Sequence, residues 1–284
     1  MYGNRQAVLF DLPARKFHIF SLTFWPQDLV LLAFILIIAA FTLFAVTAIW
    51  GRLWCGYTCP QTVWTAIFMY IEQRFEGSRS QRIKLDQESM SWKKLRKKTL
   101  KHSGWALVAA FTGITFISYF VPIRQLLPDL LSLTANTSAA SFALLFSVAT
   151  YLNAGYLREK VCTDMCPYAR FQSVMFDKNT LVVTYDTKRG EPRGSRKRFA
   201  TKEAHQGDCV DCELCVQVCP TGIDIRAGLQ YECIGCALCI DACDSIMEKM
   251  GSPKGLVSYT SENALTGNEI TGLPPKTLGY IVAL

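Results

Sequence analysis

The sequence predicts an α-helical membrane domain followed by a small, cysteine-rich α+β module. Three observations predict it. Half of the 284 residues are hydrophobic (50%), and they gather in long uncharged runs. The 30 Lys and Arg outnumber the 23 Asp and Glu, for a net charge of +7, and they flank those runs. The 12 cysteines crowd into tight, repeated spacings, as metal ligands do, rather than being dispersed as in a disulfide framework. Metal-ligand thiols argue for a reducing, cytosolic face. Basic runs that border apolar spans suit membrane lipids with acidic headgroups, and no nucleic-acid partner is expected.

Residues 1–27 read as a periplasmic connecting segment, and 28–158 as a membrane domain with three spans. The uncharged run Leu29–Trp50 has 22 residues, enough for a helix to cross a hydrocarbon core of roughly 30 Å. A second uncharged run covers 104–123, and a third lies within 130–157. Soluble core helices, the alternative, rarely run about twenty residues without a charge. The stretch 53–71 is also uncharged, but Cys55, Gly56, Cys59 and Pro60 interrupt it. Residues 61–71 are too short to span. An interfacial or re-entrant helix is expected there, with Trp64, Phe68 and Ile71 toward lipid, and a fourth span through 61–76 is the alternative.

Ten Lys and Arg fall in 74–101, whereas Arg124 is the only one between the second and third spans. The loop 72–101 is therefore placed in the cytoplasm. Two more spans return the chain, so everything after Arg158 is cytoplasmic as well. The second basic run agrees: Lys188, Arg189, Arg193, Arg196, Lys197, Arg198 and Lys202. Both runs read as solvated faces near acidic lipid. The remainder divides into a cytoplasmic C-x3-C-P segment with a basic linker (159–204), a cysteine module (205–252), and a linker (253–284). That linker runs through Pro274 and Pro275 into apolar residues that read as the first turns of a further membrane helix.

The cysteine module carries the strongest motif. Cys209, Cys212, Cys215 and Cys219 form one C-x2-C-x2-C-x3-C run, and Cys233, Cys236, Cys239 and Cys243 form another. This is the two-cluster bacterial ferredoxin spacing, in which the fourth Cys of each run ligates the other cluster. Two [4Fe–4S] clusters are expected. The first would be held by Cys209, Cys212, Cys215 and Cys243, the second by Cys233, Cys236, Cys239 and Cys219. Three thiolates at i, i+3 and i+6 wrap one face of a cube and let backbone N–H groups point at sulfur, and the cluster then supplies much of the core. Zinc sites, the alternative, use CxxC pairs separated by a longer spacer. Gly222 and Gly235 are expected to relieve crowding near the clusters. The second run lacks the usual proline after its last Cys, which is expected to expose that cluster's edge or shift its potential.

Four cysteines remain, in two matched copies: Cys55-Gly-Tyr-Thr-Cys59-Pro60 and Cys162-Thr-Asp-Met-Cys166-Pro167. Each follows a span, and each has an aromatic four residues after the proline, Trp64 or Phe171. Both copies fall on the same predicted membrane edge. If they converge, they form a four-thiolate site. Its candidate occupants are copper, which soft thiolates favour as Cu(I), and a third iron–sulfur cluster; a structural staple is the alternative. The proline after each pair starts a helix, with the second Cys at its N-terminus.

These motifs closely resemble the CcoG/FixG/RdxA family of cytochrome oxidase accessory proteins. The matching stretches are 3–17 (GNRQAVLFDLPARKF), 54–61 (WCGYTCPQ), 161–172 (VCTDMCPYARFQ), 219–226 (CPTGIDIR) and 231–244 (YECIGCALCIDACD). The resemblance implies that the missing proline is a family trait. It also implies a fuller protein, with one helix before this Met1 and a periplasmic immunoglobulin-like domain after the last span. It places the chain in the bacterial inner (cytoplasmic) membrane. It implies a role in assembling cbb3-type cytochrome c oxidase, through reduction of Cu(II) to Cu(I), with oxidase-assembly or copper-handling proteins as partners. Cys55, Cys59, Cys162 and Cys166 would then be the catalytic, copper-handling residues, supplied with electrons by the ferredoxin module. A polyferredoxin-like relay of a nitrate or nitrous-oxide type reductase, and a non-catalytic assembly factor, are the alternatives. No residue pattern identifies the electron donor.

Overall fold

The computed structural model describes residues 6–196, 205–267 and 275–283. Gly3, Asn4, Arg5, Lys197, Arg198, Lys202 and Pro274, which the sequence argument used, lie outside those residues. The chain forms two compact units, 1–37 with 64–158 and 38–63 with 159–284.

The first unit opens with an antiparallel three-stranded sheet, β1 (Val8–Asp11), β2 (Lys16–Ile19) and β3 (Leu22–Phe24), where the sequence suggested only a connecting segment. Phe10 packs against Phe17 within it. Helix α1 (Leu29–Trp50) follows and continues into the second unit; its first ten residues are exposed and apolar. Helix α2 (Pro60–Glu76) is longer than the expected interfacial stretch. It corrects one expectation: Phe68 does not face lipid. Phe68 is fully buried and stacks on Trp105, with Trp64 and Ile71 packed around the same cluster. The reason is periodicity. Thr65, Phe68, Glu72 and Glu76 recur at helical spacing and all are buried, so this face of α2 turns to protein.

The basic stretch is not a loop. It holds α3 (Arg79–Gln87) and the first turns of α4 (Trp92–Ser118), which Ser91 caps by accepting from the Lys94 N–H. Nor are all its charges solvated. Lys98 and Lys101 reach the buried Glu76 carboxylate at 3.1 and 3.0 Å, and Glu72 pairs with Arg82 at 2.5 Å and Arg158 at 3.1 Å. Charges this buried are retained only when paired.

The uncharged run 104–123 is helical only to Ser118, which leaves 15 residues, about 22 Å at 1.5 Å per residue. A break at Pro122 then starts α5 (Ile123–Leu131), so Leu130 belongs to α5 and the third run becomes a helix only from Thr137, as α6 (Thr137–Leu152). Helices α4 and α6 pack closely: a Cβ on Gly113 would stand 2.5 Å from the Ala143 carbonyl. Among the described residues two helices, Pro26–Trp50 and Thr137–Leu157, are long and apolar enough to cross a membrane.

The second unit contains the end of α1, α7 (Pro167–Met175), β4 (Val182–Tyr185), α8 (Thr187–Gly190), α9 (Leu214–Gln217), α10 (Leu238–Met250), β5 (Val257–Thr260), α11 (Glu262–Thr266) and α12 (Pro275–Ala283). Strands β4 and β5 pair antiparallel, Val183 opposite Tyr259 and Tyr185 opposite Val257. Both strands lie outside the 205–252 boundary drawn from the cysteines. They belong with the module physically, because Val183, Tyr185, Leu256 and Val257 share one buried core with Cys209, Cys215, Ile225 and Met247. Metal-held loops alone offer too little apolar surface, and the strand pair closes that side.

Candidate metal centre

The two C-x2-C-x2-C loops have the same backbone. In each, the residue before the second Cys and the residue after it are left-handed: Asp211 (φ 52) and Glu213 (φ 56) in one, Gly235 (φ 68) and Ala237 (φ 63) in the other. This curl turns N–H groups inward: the Gly235 N–H reaches the Cys233 sulfur, and Val216 and Leu238 likewise donate to Cys215 and Cys236. Each loop then runs into a helix, α9 or α10, that carries the third cysteine.

The sulfurs sort into the two sets that the spacing predicts. Cys209, Cys212, Cys215 and Cys243 line one pocket. Cys219, Cys233, Cys236 and Cys239 line a second, with Cys215 standing between the two. The fourth cysteine of each run thus lines the other run's pocket. Burial pushes the Cys236 thiol up to about 11, and Cys239 and Cys243 up to about 12. Thiols so buried carry negative charge only against a cationic group. Among the described residues no three His, Cys, Asp or Glu close on a single ion. Sulfurs ringing a pocket, with N–H groups aimed at them, fit a multi-iron cluster.

Gly222 adopts a positive φ of 70°, a conformation that glycine takes without strain, with no protein atom within 4 Å of where a Cβ would stand. The absence of proline after Cys243 has a local cause as well. Cys243 lies inside α10, where a proline at 244 would break the helix, and the Asp244 carboxylate instead accepts from the Gly255 N–H at 2.8 Å. Cys219, by contrast, lies beyond the end of α9, where Pro220 is harmless.

The paired C-x3-C-P motifs repeat in three dimensions. A left-handed residue ends each preceding helix, Gly51 (φ 57) or Arg158 (φ 43), four residues before the first Cys. A single π-turn follows, Trp54–Thr58 or Val161–Met165, closed by the N–H of the second Cys on the carbonyl five residues back, at 2.9 Å for Cys59 and 2.8 Å for Cys166. Proline then opens a new helix. The structure brings all four thiols into electrostatic range of one another within the second unit. Burial, reinforced by the neighbouring thiols, pushes Cys55 up to about 12 and Cys162 up to about 11. Four soft donors gathered together suit a soft metal.

Three residues that the sequence argument did not name as site residues shape this site. Gln172, fully buried, accepts from the Cys55 thiol at 3.3 Å and donates to the Gly51 carbonyl at 3.3 Å. Gly56 lies so close to the ferredoxin-type loop that a Cβ there would stand 2.7 Å from the Gly235 carbonyl and 3.2 Å from the Cys236 α-carbon. Arg52, 6% exposed, donates to the carbonyls of Tyr231, Cys233 (2.6 Å) and Ala169 (3.0 Å). Burial lowers its guanidinium from the usual range, opposed by Cys55, Cys233, Glu232 and Cys162. One signal could have found it: Arg52 is the single charged residue in 29–71.

Comparison with known proteins agrees with this architecture. The family described as "4Fe-4S dicluster domain" matches residues 157–262, and the family described as "4Fe-4S binding domain" matches 32–76. The chain is 47% identical over 264 residues to nitrogen fixation protein FixG of Rhizobium meliloti, covering 93% of this chain and 50% of that protein. Over 254 residues it is 44% identical to RdxA and also to RdxB of Cereibacter sphaeroides, covering 89% of this chain and 53% of each. The chain thus spans about half the length of the curated relatives it matches. No solved structure matches it. With eight cysteines in a dicluster arrangement and these relatives across nine-tenths of its length, the chain belongs to the FixG/RdxA family and carries a 4Fe-4S dicluster domain.

Proposed function

We propose that this chain is a bacterial inner-membrane electron-transfer protein whose terminal site is the Cys55–Cys59–Cys162–Cys166 group, and that its substrate there is Cu(II), reduced to Cu(I) during assembly of cbb3-type cytochrome c oxidase. One observation carries the reading: the Gly56 backbone rests against the Gly235–Cys236 backbone, so the four-thiol site adjoins a cluster-binding loop with no side chain between them.

Iron–sulfur clusters, held by the two ferredoxin-type sets, supply single electrons. The chain's own residues do the rest. The four thiols offer soft donors that favour Cu(I) over Cu(II). Gln172 orients Cys55 through its hydrogen bond. The donor set excludes hard cations. Clusters held by the ferredoxin-type cysteines would supply the one electron that each Cu(II) takes up to become Cu(I). In this reading the ferredoxin module and the four thiols face the cytoplasm, and oxidase-assembly or copper-handling proteins take the product.

The match of the 4Fe-4S binding family to 32–76, which contains Cys55 and Cys59, favours a second reading: a third iron–sulfur group at the same thiols, in a relay to a partner protein. Anaerobic purification with metal analysis, followed by addition of Cu(II) and a Cu(I) chelator, separates the two. The copper reading expects bleaching of the clusters in step with Cu(I) formation. It also expects at least a tenfold loss of that rate in the double variant Cys55→Ser/Cys59→Ser, with the ferredoxin-type clusters retained. Extra iron and sulfide that this variant loses, with no Cu(I) formed by the parent protein, would support the relay.

A further inference from the structure

Each cluster-binding loop is attended by one nearly buried arginine, and the two arginines are compensated differently. Arg226 lies by the first set, lining its pocket with Cys209, Cys212, Cys215 and Cys243. Its charge is spent locally, on Asp224 at 2.8 Å and Asp211 at 2.5 Å. Arg52 lies by the second set. Its hydrogen-bond partners among the described residues are carbonyls, those of Tyr231, Cys233 and Ala169, and its Nε makes no hydrogen bond among them. Glu232 acts on it only through space. Carbonyls orient a cation without cancelling it. A buried, uncancelled positive charge in a low-dielectric setting acts strongly on neighbouring charge.

Arg52 and its partners belong to three of the four thiol-bearing segments. Arg52 itself precedes Cys55 by three residues, Ala169 follows Cys166 by three, and Tyr231 and Cys233 open the second ferredoxin-type loop. A Cβ on Gly235 would stand 3.2 Å from the Arg52 Cβ, so the aliphatic stem also rests on that loop.

We propose that Arg52 is a positioning and potential-setting residue: its guanidinium locks the four-thiol site onto the Cys233–Cys236 loop, and its uncancelled charge makes the group held by Cys219, Cys233, Cys236 and Cys239 the easier of the two to reduce. Net charge and hydrogen bonding around a cluster are established determinants of its potential. The electron then rests on the set next to the four-thiol site. The inference rests on the iron–sulfur reading of the two ferredoxin-type sets and does not require copper.

The test is a redox titration of the whole chain in detergent, followed by electron paramagnetic resonance, without copper. Two signals are expected to titrate separately. Arg52→Gln should lower the higher potential by at least a tenfold change in the reduced-to-oxidised ratio, about 59 mV for one electron, and leave the other in place. Arg52→Lys, which keeps the charge, should retain most of the difference. An unchanged higher potential in Arg52→Gln, equal shifts of both signals, or a Lys variant that behaves like Gln overturns the proposal. If Arg52→Gln binds no clusters, Glu232→Gln decides. It removes the carboxylate that acts on Arg52 through space and should raise the higher potential alone; no rise, or a rise in both, overturns it. Loss of copper reduction would leave these potentials as they are, so the two proposals fail independently.

Discussion

At the scale of single residues, the backbone of the two cluster loops was the least legible part of the site. The eight ferredoxin-type cysteines were readable because three of each set of four fall within seven residues of chain, and the fourth follows four residues on in the other run's pattern. The left-handed conformations at Asp211, Glu213 and Ala237 were not, because these residue types do not announce positive φ as glycine does. The same curl is adopted by Gly235 in one repeat and by Asp211 in the other, so the cluster geometry overrides residue preference. A left-handed L-residue costs roughly 1–2 kcal/mol. Ala237→Gly should therefore stabilise the module by about 1 kcal/mol, and Ala237→Val, β-branched at positive φ, should destabilise it by at least as much. The denaturant concentration at which iron–sulfur absorbance is lost reads both effects. A drop in the Gly variant would show that the loop conformation is not under strain.

At the scale of elements, what was readable depended on whether the signal was continuous. Helices α1 and α6 follow from unbroken apolar runs, although α6 begins seven residues after Leu130, because Leu133 turns left-handed and the chain restarts at the Asn136 cap. Helix α2 was readable as a helix but not its partner: Phe68 looks lipid-facing until Trp105, 37 residues away, donates to its carbonyl at 3.0 Å. Strands β4 and β5 gave almost no signal, being four residues each and more than seventy apart in sequence. The contrast between the two fourth cysteines is also a matter of elements. Cys219 follows a four-residue helix and tolerates Pro220, while Cys243 stands inside the 13-residue α10. Asp244→Pro should cost about 3 kcal/mol or more, by removing a helical hydrogen bond and the Asp244 acceptor. Because Cys243 completes the first set, the variant is expected to lose that cluster before the second. Iron content falling by half, with one paramagnetic signal remaining, is the outcome to look for; two intact clusters would show that α10 does not hold Cys243 in place.

At the scale of the whole molecule, the decisive physical fact is what α1 exposes. Leu29, Val30, Leu31, Phe34, Ile35, Leu36 and Ile37 are each about half exposed or more. Packed side by side on one helix they would aggregate in water, whereas lipid accepts them at no cost. Their backbone is satisfied within the helix, as a bilayer demands. The chain should therefore remain with membranes through high salt and alkaline washing and leave them only in detergent. Sidedness follows from charge in this reading: the Lys- and Arg-rich stretches around 74–101 and 188–202 would stay in the cytoplasm, attracted to anionic lipid and resisting translocation. Trypsin added to inverted bacterial membrane vesicles should then cleave within 188–202, while intact spheroplasts protect that stretch. Cleavage in spheroplasts and protection in inverted vesicles would place all twelve thiols on the oxidising side, where reduced thiols and Cu(I) would be short-lived, and would remove the ground for cytoplasmic copper reduction.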